Sequence, residues 1–232
     1  MLFPFARIAH RQSPLQSFLF QCNKNAAENK VSWKLYFEGS ASENTPHRRS
    51  YSAALLAAVT RGLKSSGHTI DLIDLHEDCF NPVTTAEDLV AWRQRKTIDP
   101  LVADYQQRLI AADRIIFLFP IWWEAMPAMT KGFLDKVFVK ETIYTEGKGG
   151  KPFISLLPNL KAVNLLTVMS TPNFFYRYFF GNPITKILFR GTFRKMGVHK
   201  LRWHNFTGME RRSLEERQRF LVKAERRFAK LS

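Results

Sequence analysis

Residues 112–138 read ADRIIFLFPIWWEAMPAMTKGFLDKVF, and the punctuation of this stretch decides the fold. Ile115, Ile116, Phe117, Leu118 and Phe119 form an unbroken apolar run between Asp113-Arg114 and Pro120. Alternation would mark a half-buried strand, whereas a continuous run of this length marks a strand covered on both faces, as in a parallel sheet. Pro120 lacks the N–H that would continue the ladder and ends the strand. Pro127 then suits the first turn of a helix, in which Met129, Phe133, Leu134, Val137 and Phe138 recur at helical spacing. Lys131, Asp135 and Lys136 fall on the opposite side.

A buried strand, a loop and an amphipathic helix make half of a βαβ unit, and open α/β sheets bind ligands beyond the carboxyl ends of their strands. Trp122, Trp123 and Glu124 occupy that position. Aromatic residues more often pack as core. Two tryptophans side by side in a loop bounded by prolines read instead as the wall of a ligand site.

The segment Pro120-Ile121-Trp122-Trp123-Glu124-Ala125-Met126-Pro127, continued by AMTKGFLDKV to Val137, closely resembles the central motif of the flavodoxin-like NAD(P)H:quinone oxidoreductases of the DT-diaphorase type and their bacterial relatives. The resemblance implies that the proline-to-proline loop lies along a flavin ring, with Pro120, Ile121, Trp122, Trp123 and Glu124 as cofactor contacts. It implies FMN, or FAD as in the DT-diaphorase branch, with NAD(P)H as co-substrate. Two electrons would pass through the flavin to a quinone or similar acceptor in ping-pong fashion. It further implies a homodimer in which each site is completed by the neighbouring chain, with the aromatics of Phe174 to Phe180 at hand for the contact. Two readings of other classes stand beside it: an electron carrier or regulatory subunit without turnover, and a basic scaffold for nucleic acid.

Upstream of this unit, His68 to Leu75 alternates apolar and polar residues and reads as a strand, and Ala86 to Arg95 and Leu101 to Ala112 carry helical patterns. By resemblance, Phe80 and Trp92 in this insertion border the substrate pocket or the partner. Val31 to Phe37 (VSWKLYF) is the candidate first strand, although it is charged and short of aliphatics. The loop from Glu38 to Ser50 leads into a helix with Leu55, Leu56, Val59 and Leu63 on one face. Free N–H groups and hydroxyls at that helix start suit an anion, which makes Ser50, Tyr51 and Ser52 candidates for a flavin phosphate; Ser50 also suits a plain helix cap. Ser50-Tyr51-Ser52-Ala53-Ala54-Leu55 matches the family pattern, while the preceding loop is longer and His47 lies close to Ser50. Residues 1 to about 30 have no acid before Glu28 and no period, and read as a poorly ordered appendage, leaving 31–232 as the flavin-binding domain. Arg7, Arg11 and Ser13 give them some of the composition of a transit peptide.

Downstream, the glycines of Gly147 to Lys151 form a connector rather than a phosphate-binding loop, because Pro152 follows the lysine and no buried strand precedes them. Ala162 to Met169 is the next strand, so the loop Ser170-Thr171-Pro172-Asn173 lies beside the tryptophan loop. By resemblance, Thr167, Ser170, Thr171, Pro172 and Asn173 supply donors to the flavin, and Tyr176 takes part in hydride transfer; packing against Phe174, Phe175 and Phe179 is the other reading of Tyr176. Pro183 to Met196 reads as a helix, Val198 to Phe206 as the last strand and Ser213 to Leu231 as the last helix. The expected class is α/β, a doubly wound, five-stranded parallel flavodoxin-like sheet with helices on both faces.

The 232 residues suffice for one such domain, and no apolar run is long enough to span a membrane. Cys22 and Cys79 make no disulfide framework and no metal-spaced cluster, which fits a cytoplasmic setting. His10, His47, His68, His76, His199 and His204 show neither HExxH nor paired metal spacing, so no metal is expected. The formal charge is +15 and is concentrated in residues 190–232, with thirteen Lys and Arg against four Glu. The interspersed Glu215, Glu216 and Glu225 give the last helix a solvated face, and no nucleic-acid partner is expected. The same field attracts anionic NAD(P)H.

Overall fold

A computed structural model describes residues 31–37, 50–147 and 153–231. The proposed appendage 1–30, the loop carrying His47, and the glycines of the connector past Gly147 lie outside the described residues.

In chain order the elements are β1 (Ser32–Phe37), α1 (Tyr51–Ser65), β2 (Thr69–Asp74), α2 (Ala86–Arg93), α3 (Pro100–Ile110), β3 (Arg114–Pro120), α4 (Ala128–Val137), β4 (Tyr144–Thr145), β5 (Ile154–Ser155), β6 (Ala162–Met169), β7 (Lys200–Thr207) and α5 (Leu214–Phe228). Five strands pair in parallel in the order β2-β1-β3-β6-β7, and β4-β5 is a separate antiparallel ribbon. β3 is central, and every residue from Ile115 to Phe119 is fully buried.

Alternate residues of the strands feed two cores. Ile115, Phe117, Phe119, Val163 and Leu165 meet α3, α4 and the segment 184–196 on one face. Trp33, Leu35, Phe37, Ile116, Leu118 and Leu166 meet α1 and α5 on the other. The charged β1 fits because its charge is paired: Lys34 Nζ lies 2.6 Å from Asp71 Oδ2 on β2, and Arg108 of α3 binds the same carboxylate. Burial alone would push the Asp71 carboxyl up, but hydrogen bonds from Arg108 and Lys34 outweigh it and hold the group below the ordinary carboxylate range.

Two features depart from the sequence reading. The connector after α4 contains the ribbon Tyr144–Thr145 with Ile154–Ser155, and two residues per strand leave no periodic signal to read. The aromatic run after β6 is a π-helical turn, Phe175–Phe179, and the expected helix over Pro183 to Met196 is π-helical through Thr185–Arg194. Periodicity near 3.6 does not separate these wider turns from α-helix.

The strand order reverses between β1 and β3, since the chain proceeds to β2 on one side and to β6 on the other. A crevice opens at such a reversal, outside the carboxyl ends of the two strands. The tryptophan loop after β3 flanks it.

Candidate functional site at the carboxyl ends of β3 and β6

Pro120 is the last residue of β3, and the Ile121 N–H donates to the Val168 carbonyl of β6 at 2.9 Å. The chain then reverses within four residues: Trp122 and Ala125 exchange backbone hydrogen bonds at 3.0 Å in each direction. The two central residues, Trp123 (φ 49°) and Glu124 (φ 60°), are both left-handed. A two-residue turn of this hand normally uses Asn-Gly or Gly-Gly, and a side chain in the left-handed region costs roughly 1–2 kcal/mol. Here the turn holds Trp123 wholly in solvent, at 100% exposure, and Trp122 at 59%. Core packing of Trp123 is thereby excluded.

The strain is held by the neighbouring loop. Thr171 Oγ1 donates to Glu124 Oε1 at 2.9 Å, and the Tyr176 hydroxyl donates to the Glu124 carbonyl at 2.9 Å while accepting from the Ile184 N–H at 3.1 Å. Tyr176 is fully buried, and burial pushes its hydroxyl up to about 12, so it keeps its proton at neutral pH. Its hydroxyl hydrogen-bonds to protein groups, and its ring packs on Trp203 with centroids 5.6 Å apart. The ring contact is with Trp203, while Phe174, Phe175 and Phe179, the partners expected from sequence, are exposed. Tyr176 is a positioning residue for the turn.

Thr167 is also fully buried: its hydroxyl accepts from Trp203 Nε1 at 2.8 Å and donates to Asn205 Oδ1 at 2.7 Å. Asn205 in turn donates to Asn173 Oδ1 at 2.7 Å. Thr167 therefore supports the loop rather than facing the crevice. Ser170, Pro172 and Asn173 are exposed, and the Pro172 carbonyl accepts from the Tyr176 N–H at 3.1 Å.

At the start of α1, Ser50 is the cap, its Oγ accepting from the Ala53 N–H at 3.1 Å, and Ser52 is buried. Tyr51 lies on Phe206 of β7 with centroids 6.1 Å apart. Burial pushes its hydroxyl up to about 12, against the opposing charge of Arg212. The structure thus brings Trp122 to Glu124, Thr171 and Tyr176 into one hydrogen-bonded cluster, while Ser50 to Ser52 sit at a separate helix start. Trp203 and Asn205 belong to this supporting shell and escaped sequence reading, because a strand residue 32 to 38 positions further along the chain carries no local signal of the loop it props; Phe206 backs Tyr51.

Two buried polar atoms here have no hydrogen-bond partner, Glu124 Oε2 and the Tyr51 hydroxyl. Unpaired buried polar atoms are costly, and a ligand with complementary polar edges would satisfy them. Glu124 Oε2 stands in the same turn as the exposed Trp123, an apolar ring beside an unpaired polar atom, as a planar heteroaromatic group with polar substituents requires; the Tyr51 hydroxyl belongs to the separate α1 start. Phe80 is a core residue against Tyr105 and Phe133. Trp92 lines a separate cavity of about 440 Å³ between α2 and α4, which shares no lining residue with the two loops.

A family model described as flavodoxin-like fold matches residues 41–231. An uncharacterized NAD(P)H oxidoreductase of Escherichia coli is 31% identical over 103 residues, 44% of this chain and 53% of that protein, so the match spans about half of the relative's length. An uncharacterized NAD(P)H oxidoreductase of Haemophilus influenzae is 26% identical over 161 residues, 68% of this chain and 77% of its own. Among solved structures, the NAD(P)H:quinone oxidoreductase of Methanothermobacter marburgensis superposes with a TM-score of 0.71 at 21% identity, covering 86% of this chain and 96% of that one, a likeness of fold. With the sheet order, the strand-end loops and the matched span in agreement, this chain belongs to the flavodoxin-like fold family.

Proposed function

We propose that the chain is a flavin-dependent NAD(P)H:quinone oxidoreductase, binding FMN in preference to FAD across the β1/β3 crevice. The observation that carries this reading is Trp123, held fully exposed in a left-handed turn that Thr171 and Tyr176 brace from the next strand end. Backbone strain of this kind persists where neighbours over-determine it, and it clusters at ligand sites. The names of the E. coli and H. influenzae relatives and the motif from Pro120 to Val137 support the same reading.

Trp122 and Trp123 wall the ring, Glu124 and the loop Ser170 to Asn173 meet its polar edge, and the α1 start with Ser50, Tyr51 and Ser52 takes the phosphate. Bound there, the flavin supplies the two-electron carrier between NAD(P)H and a quinone-like acceptor. The chain's own residues position and exclude: Tyr176 and Thr167 hold the two loops at a fixed spacing. The exposed free thiol of Cys79 suits a reducing, cytoplasmic setting, and no helix among the described residues is long and apolar enough to cross a membrane. A homodimer belongs to the same reading; a monomeric mass by light scattering with full activity on dilution would remove it.

NADH or NADPH oxidation measured with and without a quinone tests the assignment: turnover with the acceptor is expected, and a flavin-loaded protein that reduces once and stops would be a carrier. Trp123→Ala should weaken FMN binding about tenfold through loss of ring contact, and unchanged affinity in the folded variant would take Trp123 out of the site. Ser50→Ala combined with Ser52→Ala should weaken FMN retention by roughly 1–2 kcal/mol, read by dialysis; full retention would place the phosphate elsewhere.

A further inference from the structure

At the amino end of the sheet, the register sets Arg114 of β3 against Ala162 of β6 and Ala162 against Lys200 of β7. Two residues further on, Ile116, Asn164 and Arg202 lie in one row. Side chains alternate between faces along a strand, so Arg114, Asn164, Lys200 and Arg202 share the face on which Ile116, Leu118 and Leu166 meet α1 and α5. A cavity of about 280 Å³ opens there, bordered also by Lys230 and Leu231 after α5, and no carboxylate lines it. Lys200, Arg202 and Lys230 are exposed, and none of them pairs with an acid among the described residues. Asp113, next to Arg114 in the chain, accepts from the Ser32 N–H at 2.8 Å and lies 3.7 Å from Lys161 Nζ. Burial, and after it the like charge of Arg202, push the Arg114 guanidinium below its ordinary range against the opposing charge of Asp113. Asn164 sits in the middle of this row at 2% exposure, and its Oδ1 has no hydrogen-bond partner. A buried amide oxygen left unmet is costly, and it only accepts, so the group that meets it must donate.

We propose that this cavity binds a small phosphate monoester carrying free hydroxyls, with its phosphate among Arg114, Lys200, Arg202 and Lys230 and a hydroxyl donating to Asn164 Oδ1. Guanidinium and ammonium groups make their strongest hydrogen bonds to phosphate oxygens, and four cations gathered without a carboxylate gain most from a dianion. The demand for a donated hydrogen separates this ligand from a bare anion. Sulfate has no hydrogen to give at neutral pH, whereas a sugar hydroxyl always has one. A volume of about 280 Å³ lies at the small end of ligand pockets, which suits a sugar phosphate rather than a dinucleotide. The cavity lies at the opposite end of the sheet from the proposed flavin crevice, so either site can fail without the other.

Calorimetric titration of the full chain with ribose 5-phosphate, and with ribose and sulfate at matched ionic strength, tests the proposal. Saturable binding of the phosphate ester is expected, on the order of tenfold tighter than sulfate, with no binding of ribose. Arg202→Gln with Lys230→Gln changes two exposed side chains and should weaken the ester by roughly tenfold or more while leaving FMN affinity as it was, in a variant whose circular dichroism matches the parent. Asn164→Leu should bring the ester and sulfate to similar affinity. A parent chain that binds the ester no better than sulfate, or not at all, would overturn the proposal. So would binding that survives Arg202→Gln with Lys230→Gln, or binding that is lost instead in Ser50→Ala with Ser52→Ala, which would put the ester at the start of α1.

Discussion

Tyr176→Phe should lower the unfolding free energy by about 2–4 kcal/mol, although it removes a single oxygen atom. That oxygen serves two backbone groups at once, donating to the Glu124 carbonyl and accepting from the Ile184 N–H. Ile184 is fully buried, so its N–H would lose its partner without gaining water, and each buried group left unpaired costs roughly 1–3 kcal/mol. The variant should also loosen the turn that displays Trp123, since two left-handed residues there would lose a restraint. Chemical unfolding reads the first effect, and FMN affinity at fixed folded fraction reads the second. A variant within about 0.5 kcal/mol of the parent that binds FMN equally well would show that the hydroxyl positions nothing.

His204 should give the protein an acid-sensitive window well above the carboxylate range. Desolvation, together with the charges of Arg227 and Arg202, pushes its imidazole down to about 4 from an ordinary value of 6.5. The unfolded chain therefore takes up a proton that the folded chain refuses between those two values. Stability is fully present above pH 6.5, declines as pH falls through the window, and the loss is complete near pH 4, on the order of 2–3 kcal/mol. Asp71 and Asp88 are held below the ordinary value of 3.8, so their contributions are lost only at still lower pH and the two windows separate. His204→Gln should flatten the decline between pH 6.5 and 4; an unchanged slope would show that some other group titrates there.

The central strand and its loop were legible because their signal is local. Five apolar residues in a row ended by a proline allow few arrangements, and β3 spans Arg114–Pro120 as the run demands. Ala162–Met169 was equally plain. β1 was harder, since Lys34 reads as a misfit until Asp71, 37 positions away, is seen to pair with it. Trp122 and Trp123 could be placed at a strand end from sequence, but their exposure depends on left-handed backbone at Trp123 and Glu124, which no propensity foretells. Thr167 was assigned to the loop that meets the flavin, and its burial under Trp203 follows from register between β6 and β7, a non-local fact. Tyr176 was named by resemblance as the tyrosine of hydride transfer, while its role as a brace rests on Ile184 and Glu124, which meet only in the fold.

Titration of the purified chain with FMN, followed by flavin fluorescence and by the visible spectrum of the protein after desalting, tests the flavin site most directly. Saturable binding of one FMN per chain is expected, with a flavin spectrum retained through desalting and bleached by NAD(P)H. A colourless protein that takes up neither FMN nor FAD, with its fold intact by circular dichroism, would contradict the account.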